Sequence, residues 1–487
     1  DFFTDSPLFM LTAFPVGLSL YVISGYLLLV TDIGFSFKKM LAALLFFVIA
    51  ALLFRLLAKG REKDKESLFK WSPYSKKMIV TGICIFVLTA LFSVSGILSV
   101  SLSNDSMYYF NLYPQALVNY GHLRREFNVM LTDVGLGAAV IGTLPHLFSF
   151  NESFGILTFF NLNFLCIFFY ALFSCAYKSA QDRKKSLITA LFGLLFLMSQ
   201  MPFIIISKWV MANMYFMEYM FICYYLLSGL SDKRKSGKKG MMTDKDIIPV
   251  VFMVTAMSTL RMEGTIMAIL LLFIVSMLEL SNGMLSFALI LPQFVLQLLY
   301  DIRIFVRMDI NAPYTFLTKS KAVIGLSALL LSFVYMLFVR GRVKLFDRHM
   351  GKLITGGLVL VNAVLYFKDR ELFTDNLIVF SKNLMNRSGW GTFPVAVLSV
   401  CIIIVFCTLI DKMPIKPKIT DVFVLEYLLL TLAVSFAREN TLQEGVGDSG
   451  NRVLLQIVPL VVFALYEHVT EMVFVNNDHI SKEPSEN

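Results

Sequence analysis

Apolar residues come in long, nearly unbroken runs along this chain, parted by short polar or charged stretches. Leu8–Val30, Met78–Val100 and Phe154–Ala176 are such runs, and Val453–Tyr466 with its flanks is another. At about 1.5 Å per residue, each can cross about 30 Å of hydrocarbon as a helix. Period-two alternation is weak, which argues against a transmembrane barrel. The pattern predicts an all-α fold, a polytopic transmembrane helix bundle of about fourteen helices. The spans are 8–30, 40–57, 78–100, 154–176, 186–206, 210–228, 248–260, 264–280, 285–301, 322–339, 353–367, 393–410, 422–436 and 453–472. The 248–260 span is too short to cross alone, so it is expected to be tilted or broken. No repeat, low-complexity tract or soluble domain interrupts the series.

Charge gives the bundle a direction. Lys59–Lys77 carries seven Lys/Arg, 177–186 four, 231–246 six and 340–352 five. Cationic loops stay on the cytoplasmic side, so these four loops and both termini are placed inside. The outer loops are then 101–152, 302–321, 368–391 and 437–452. The first holds only Arg124 and Arg125 as cations. Lys38 and Lys39 fall in an outer loop, against the rule. Ala116, Tyr120, Leu123, Phe127, Met130/Leu131 and Val134 recur at helical spacing, which predicts a helix lying along the membrane surface or packed on its neighbours. Phe373, Leu377, Phe380 and Leu384 suggest a second one.

Composition adds a few exclusions. The 487 residues are 57% hydrophobic and 16% charged, with mean hydropathy +0.72. A net charge of +9 would suggest nucleic acid, but its confinement to short loops argues for membrane topology instead, and no nucleic-acid partner is expected. Cys84, Cys166, Cys175, Cys223, Cys401 and Cys407 all sit in apolar runs without CxxC spacing, so neither a metal site nor a disulfide framework is expected. No cleavable signal peptide is evident. Asp1 is not a natural start, so further residues are expected upstream. GxxxxGK[ST], HExxH and GxSxG patterns are absent. The GxGxxG match "GVGDSG" (445–450) opens a membrane helix rather than a βαβ unit and is read as chance.

The informative polar residues stand at outer helix ends. Asp105 lies just beyond a predicted span, followed by Tyr108 and Tyr109. A carboxylate near the low-dielectric boundary suits a general base, and tyrosines offer stacking faces for sugars. An Asn-Asp-Ser helix cap with interfacial tyrosines explains the same residues. Arg261 and Glu263 interrupt an apolar stretch, where charges are functional or paired with each other. Arg452 ends a glycine-rich loop at the mouth of the last helix, placed either to hold a phosphate in bidentate fashion or to anchor a helix end. Lys208 with Trp209, Arg124, Arg125, Arg303 and Arg307 are further outer residues, read mostly as headgroup contacts. His122 and His146 have no partner spacing.

Together the pieces form a resemblance. "DSMYYFNLYPQALVNYG" resembles the D-E-x-Y-Y…A…G stretch in the first outer loop of the GT-C superfamily, the bacterial polyprenyl-phosphate-sugar glycosyltransferases of the mannosyl- and aminoarabinose-transferase-like group. "TLRMEGTIMAILLLF" resembles its R-x-E-G helix start, and "SGNRVLLQIVPLVVFAL" its late R-Y-L-L-x-x-x-P-L helix. All three occur in order and on one predicted face. Ser106 stands where the pattern has Glu, Val453 where it has Tyr, and "MANMYFMEYMF" lacks a common Asp. The resemblance implies a seven-helix catalytic module over 78–301, two accessory helices in 1–77 and a variable module over 302–487. It implies a multi-pass enzyme of the bacterial cytoplasmic membrane with an extracytoplasmic site. The partners would be a polyprenyl-phosphate-sugar donor, a glycan or lipid acceptor and membrane lipid. Asp105 would deprotonate the acceptor hydroxyl for inverting attack, and Arg452 with Arg261 would hold the lipid phosphate. Glu263, Tyr108, Tyr109 and Lys208 would complete the substrate site. No cofactor is implied; some relatives use a divalent metal, which the lone Asp-Ser pair does not favour here.

Two other readings use the same residues. A lipid-linked-glycan transporter or flippase would show pseudo-symmetric halves and a mid-membrane cavity. An envelope-glycan polymerase or ligase would use an outer-loop Arg and a distant Gly, a spacing that Arg124 and Gly135 offer. The glycosyltransferase reading requires Asp105 within about 15 Å of Arg261 or Arg452, since catalytic groups act on one substrate in near contact.

Overall fold

The computed structural model describes residues 7–59, 108–148, 154–207, 211–235, 248–277, 283–310, 316–340, 342–385, 390–410, 417–436 and 449–480. Every regular element among them is helical. Numbered over these residues, the α-helices are α1 (Pro7–Val30), α2 (Phe37–Lys59), α3 (Tyr113–Tyr120), α4 (Leu136–Leu147), α5 (Phe154–Ala180) and α6 (Arg183–Ser199). There follow α7 (Met201–Ser207), α8 (Ala212–Lys235), α9 (Ile248–Leu260), α10 (Gly264–Met277), α11 (Gly283–Asp301) and α12 (Lys319–Val334). The chain continues with α13 (Lys344–Lys368), α14 (Arg370–Met385), α15 (Phe393–Ile410), α16 (Ile419–Phe436), α17 (Ser449–Leu455) and α18 (Val458–Ile480). Apart from 78–100, which lies outside the described residues, each predicted span falls on a helix. Among the described residues, seven helical stretches are long and apolar enough to cross a membrane unaided.

Local chemistry sets the boundaries. The Asp182 carboxylate accepts from the backbone N–H of Lys184 at 2.8 Å and of Lys185 at 3.3 Å, capping α6. Pro202 fits the first turn of α7, where its missing N–H costs nothing, and the 186–206 span is therefore broken at Gln200. Pro459 likewise has no N–H for the preceding turn, so the last span divides into α17 and α18 around Gln456 and Ile457.

α1, α5, α8, α9 and α18 make the centre. Phe160 packs its ring against Tyr215 and Tyr219, and Phe164 against Phe221, so α5 and α8 meet through aromatic side chains. α12, α13 and α15 line the outside and expose apolar side chains such as Leu331, Leu360, Phe367 and Phe406. A face this apolar is stable against lipid and not against water.

Two expectations for outer segments are corrected. The stripe from Ala116 to Val134 is not one helix. Gly121 at φ +71° ends α3, and a short 3-10 turn (Arg125–Phe127) and a π turn (Met130–Val134) follow. Glycine enters the left-handed region without strain, so the helix stops there. Leu123, Phe127, Met130 and Leu131 are nonetheless buried, whereas Tyr120 is exposed. The end of loop 101–152 is also no loop. Residues 136–147 form α4, too short to cross, with Leu136–Thr143 buried and the helix packed on α1, α3 and α9. In the second stripe Phe373 and Phe380 are buried with Asn376 and Asn383, and Leu377 is exposed.

π turns recur at helix ends: Gly135 N–H donates to Met130, Met308 N–H to Arg303 and Arg340 N–H to Tyr335, each five residues back. At one end of the bundle three predicted outer segments close on one another. Arg303 forks onto Asp32, with Nη1–Oδ2 at 2.9 Å and Nη2–Oδ1 at 2.7 Å. His122 Nδ1 lies 3.1 Å from Asp32 Oδ1. Phe35 N–H donates to the Gly121 carbonyl, and Leu317 N–H to that of Thr132 at 2.8 Å. Asp32 itself takes φ +65°, which Asp tolerates better than most side chains.

Burial works against the Asp32 charge, but the His122 hydrogen bond and the Arg303 guanidinium outweigh it and hold the carboxyl below its ordinary range. Its contribution to stability is therefore complete above the usual carboxylate range and lost as pH falls through the depressed value. Asp32→Asn should lower the melting temperature at pH 7, by the equivalent of under about 1 kcal/mol because the side chain is partly solvated. The difference from the parent should vanish in strongly acidic solution; a difference that persists there would mean the carboxylate charge is not what matters.

Candidate functional site

α9 and α10 have 13 and 14 residues, each about 20 Å long. They meet at the turn Arg261-Met262-Glu263, which carries two charges at a depth where isolated charges are costly. Close backbone approach fixes that turn. A Cβ on Gly135, which sits at φ +121°, would come within 2.4 Å of the Leu260 carbonyl oxygen and 2.7 Å of Arg261 Cα. A Cβ on Gly137 would meet Thr259 Oγ1 at 2.4 Å. Only glycine lets α4 start directly against the end of α9.

The Arg261 side chain is 10% exposed and that of Glu263 5%. Arg261 Nε donates to Glu263 Oε1, and Arg261 Nη1 to Asn213 Oδ1 at the start of α8. The same Asn213 oxygen accepts from Gln456 Nε2 at 2.9 Å. The Tyr427 hydroxyl lies in donating range of both Gln456 Oε1 at 2.8 Å and the Val453 carbonyl at 3.0 Å. That carbonyl also accepts from the Gln456 backbone N–H at 3.1 Å, in the last turn before the break. Arg452, one turn before Gln456, is half-buried and directs Nη1 to Met211 Sδ at 3.3 Å, two residues from Asn213. Arg261, Asn213, Gln456 and Tyr427, far apart in sequence, therefore form one buried polar network spanning α8, the α9–α10 turn, α16 and the break after α17, and Arg452 lies beside it, one turn before Gln456 and against Met211.

Comparison of the chain with known protein families, curated proteins and solved structures finds no match.

The sequence-predicted residues divide three ways. Arg261, Glu263 and Arg452 are brought together. Asp105 and Lys208 lie outside the described residues. Tyr108 is exposed, while the ring of Tyr109 packs on Tyr113 at 5.6 Å and that of Tyr113 on Phe127 at 5.1 Å, a row along the outer segment. Among the described residues no three His, Cys, Asp or Glu side chains gather as a metal ligand set.

Asn213, Tyr427 and Gln456 are functional candidates that the sequence reading passed over. Each is a polar residue inside an apolar run, and Gln456 follows Arg452 by one helical turn; those were the available signals. A second relay leads away from the turn. Thr265 Oγ1 donates to Gln297 Oε1 at 2.9 Å, and Gln297 Nε2 to Asp301 Oδ1 at 2.9 Å, at the end of α11.

Chemically, the network is a rigid cationic centre. Glu263 offsets the Arg261 guanidinium, the Asn213 amide oxygen joins it to Gln456, and Arg452 stands one helical turn before Gln456. Glu263→Gln strands a buried guanidinium and should destabilise by about 3 kcal/mol or more. A double-mutant cycle of Asn213→Leu and Gln456→Leu, read by thermal unfolding in detergent, should give a coupling of about 0.5–3 kcal/mol. Additive losses would show that the Asn213–Gln456 contact contributes nothing.

Proposed function

We propose that the protein is an integral-membrane glycosyltransferase of the GT-C type. It would move a sugar from a polyprenyl-phosphate donor to a cell-envelope glycan or lipid acceptor on the extracytoplasmic face. The observation that carries this reading is the placement of Arg452 beside the buried network that holds Arg261, where the start of α8, the α9–α10 turn and α17 adjoin. A phosphate monoester leaving group needs charge stabilisation more than a proton, and preformed guanidinium groups in a low-dielectric site supply it without reorganisation. Arg452 is the donor-phosphate ligand in this scheme, and Arg261, its charge offset by Glu263, adds guanidinium N–H donors held in place by Asn213. Asp105 takes the proton of the acceptor hydroxyl as that oxygen attacks the anomeric carbon and the carbon–phosphate-oxygen bond breaks, with inversion. Tyr108 and Lys208 would contact the substrates at the rim.

A carrier of lipid-linked glycans is the second reading. The observation favouring it is the half-length pair α9 and α10 meeting at a charged turn, a form that transporters use for binding sites.

Purified protein with undecaprenyl-phosphate-sugar donors should release undecaprenyl phosphate. Asp105→Asn should slow release about a hundredfold or more while lipid binding persists. Arg452→Gln should slow it about a hundredfold. Donors activated as pyrophosphates should be inert. Glycan movement across vesicles that survives Asp105→Asn, with no transfer from any donor, would sink the enzyme reading in favour of the carrier.

A further inference from the structure

The glycosyl-transfer reading leaves a group of outer cations without work. Lys38, Lys39, Arg124, Arg125 and Arg307 are exposed, and Arg303 stands among them. Membrane topology disfavours cations on the outer face, so a cluster there needs another cause.

The fold draws them together. The hydrogen bond between Phe35 N–H and the Gly121 carbonyl sets residues 35–39 beside 121–125. A Cβ on Gly34 would lie 2.9 Å from His122 Cε1 and 3.0 Å from Lys39 Nζ, so both side chains flank one point of backbone. Asp32, the acid at the centre, is already engaged by Arg303 and His122. Glu126 is the exposed acid beside Arg125. The sum is positive. The Arg124 guanidinium sits 3.7 Å over the ring of Tyr120, which is itself 51% exposed. Cations beside an exposed aromatic edge suit a sugar acid, whose ring offers C–H groups and whose carboxylate or phosphate offers charge.

We propose that this rim is a docking site for an anionic glycan. The inference deepens the glycosyltransferase reading and rests on it for the consequence that the acceptor is an acidic saccharide. The rim also joins the buried centre. Tyr300, next to the Asp301 that ends the Thr265–Gln297 relay, donates to the Leu131 carbonyl, and the segment from His122 to Gly135 runs from the rim to the Arg261 turn. An acceptor chain held at the rim would lie along the segment that buttresses the cationic centre.

The test uses the full chain in phosphatidylcholine nanodiscs with a fluorescent oligogalacturonate. Binding should weaken as salt is raised, and a maltooligosaccharide of equal length should not compete. The combined variant Lys38→Gln, Lys39→Gln, Arg124→Gln and Arg125→Gln should bind about tenfold more weakly, several solvent-screened contacts having been removed. Should it fold poorly, the two paired variants carry the same comparison, each a few-fold weaker. Unchanged binding by the variants would overturn the proposal. So would displacement of the probe by phosphatidylglycerol in the disc, which would make the rim a headgroup site. Rim-dependent probe binding without sugar transfer from any lipid monophosphate donor would keep the docking site and overturn the enzyme. Transfer without rim-dependent binding would do the reverse.

Discussion

One amide oxygen ties the polar centre of this bundle together. Asn213 Oδ1 accepts from Arg261 on one side and Gln456 on the other, and both donors sit at places where helices are interrupted. A guanidinium and a carboxylate at the tip of two half-length helices are tolerable only when fully partnered, because neither water nor lipid can solvate them there. The break after α17 is tolerable for a similar reason: the Val453 carbonyl accepts from the Gln456 N–H in a tightened last turn and from the Tyr427 hydroxyl as well. Remove the shared acceptor and two separate irregularities each lose a partner.

The geometry around that centre follows from glycine and proline more than from the polar residues themselves. Gly135 and Gly137 allow backbone against backbone between α4 and α9, and Pro459 places Gln456 outside regular helix, turned toward α8. The aromatic contact between α5 and α8 then holds the start of α8 in place without any charge. An apolar frame and a handful of glycines thus determine where the Arg261 turn meets the start of α8.

The helices were legible because twenty apolar residues in a row have few alternatives. Helix interruptions were legible only where proline marks them; the unit 136–147 was not, because an apolar stretch too short to cross reads as part of a loop. The stripe from Ala116 to Val134 has helical periodicity, yet Gly121 overrides it. Arg261, Glu263 and Arg452 stood out as charges in apolar company. Asn213, Tyr427 and Gln456 did not, since neutral polar residues in apolar helices are common and their partners are set by tertiary packing. Lys38 and Lys39 ran against the charge rule, and their neighbours in space explain that only through contacts with segments far along the chain.

The π turn at Ile302–Arg307 has a consequence of its own. Such a turn contains one residue more than an α-helix needs, and each residue rotates a helix by about 100°. The extra residue is therefore an angular gear between α11 and the chain beyond it. Shortening the segment by one between Arg303 and Met308 would restore the ordinary helix and turn the chain beyond it relative to Arg303 and its partner Asp32. This end of the bundle is in this sense indexed by residue count: insertions and deletions there act as rotations.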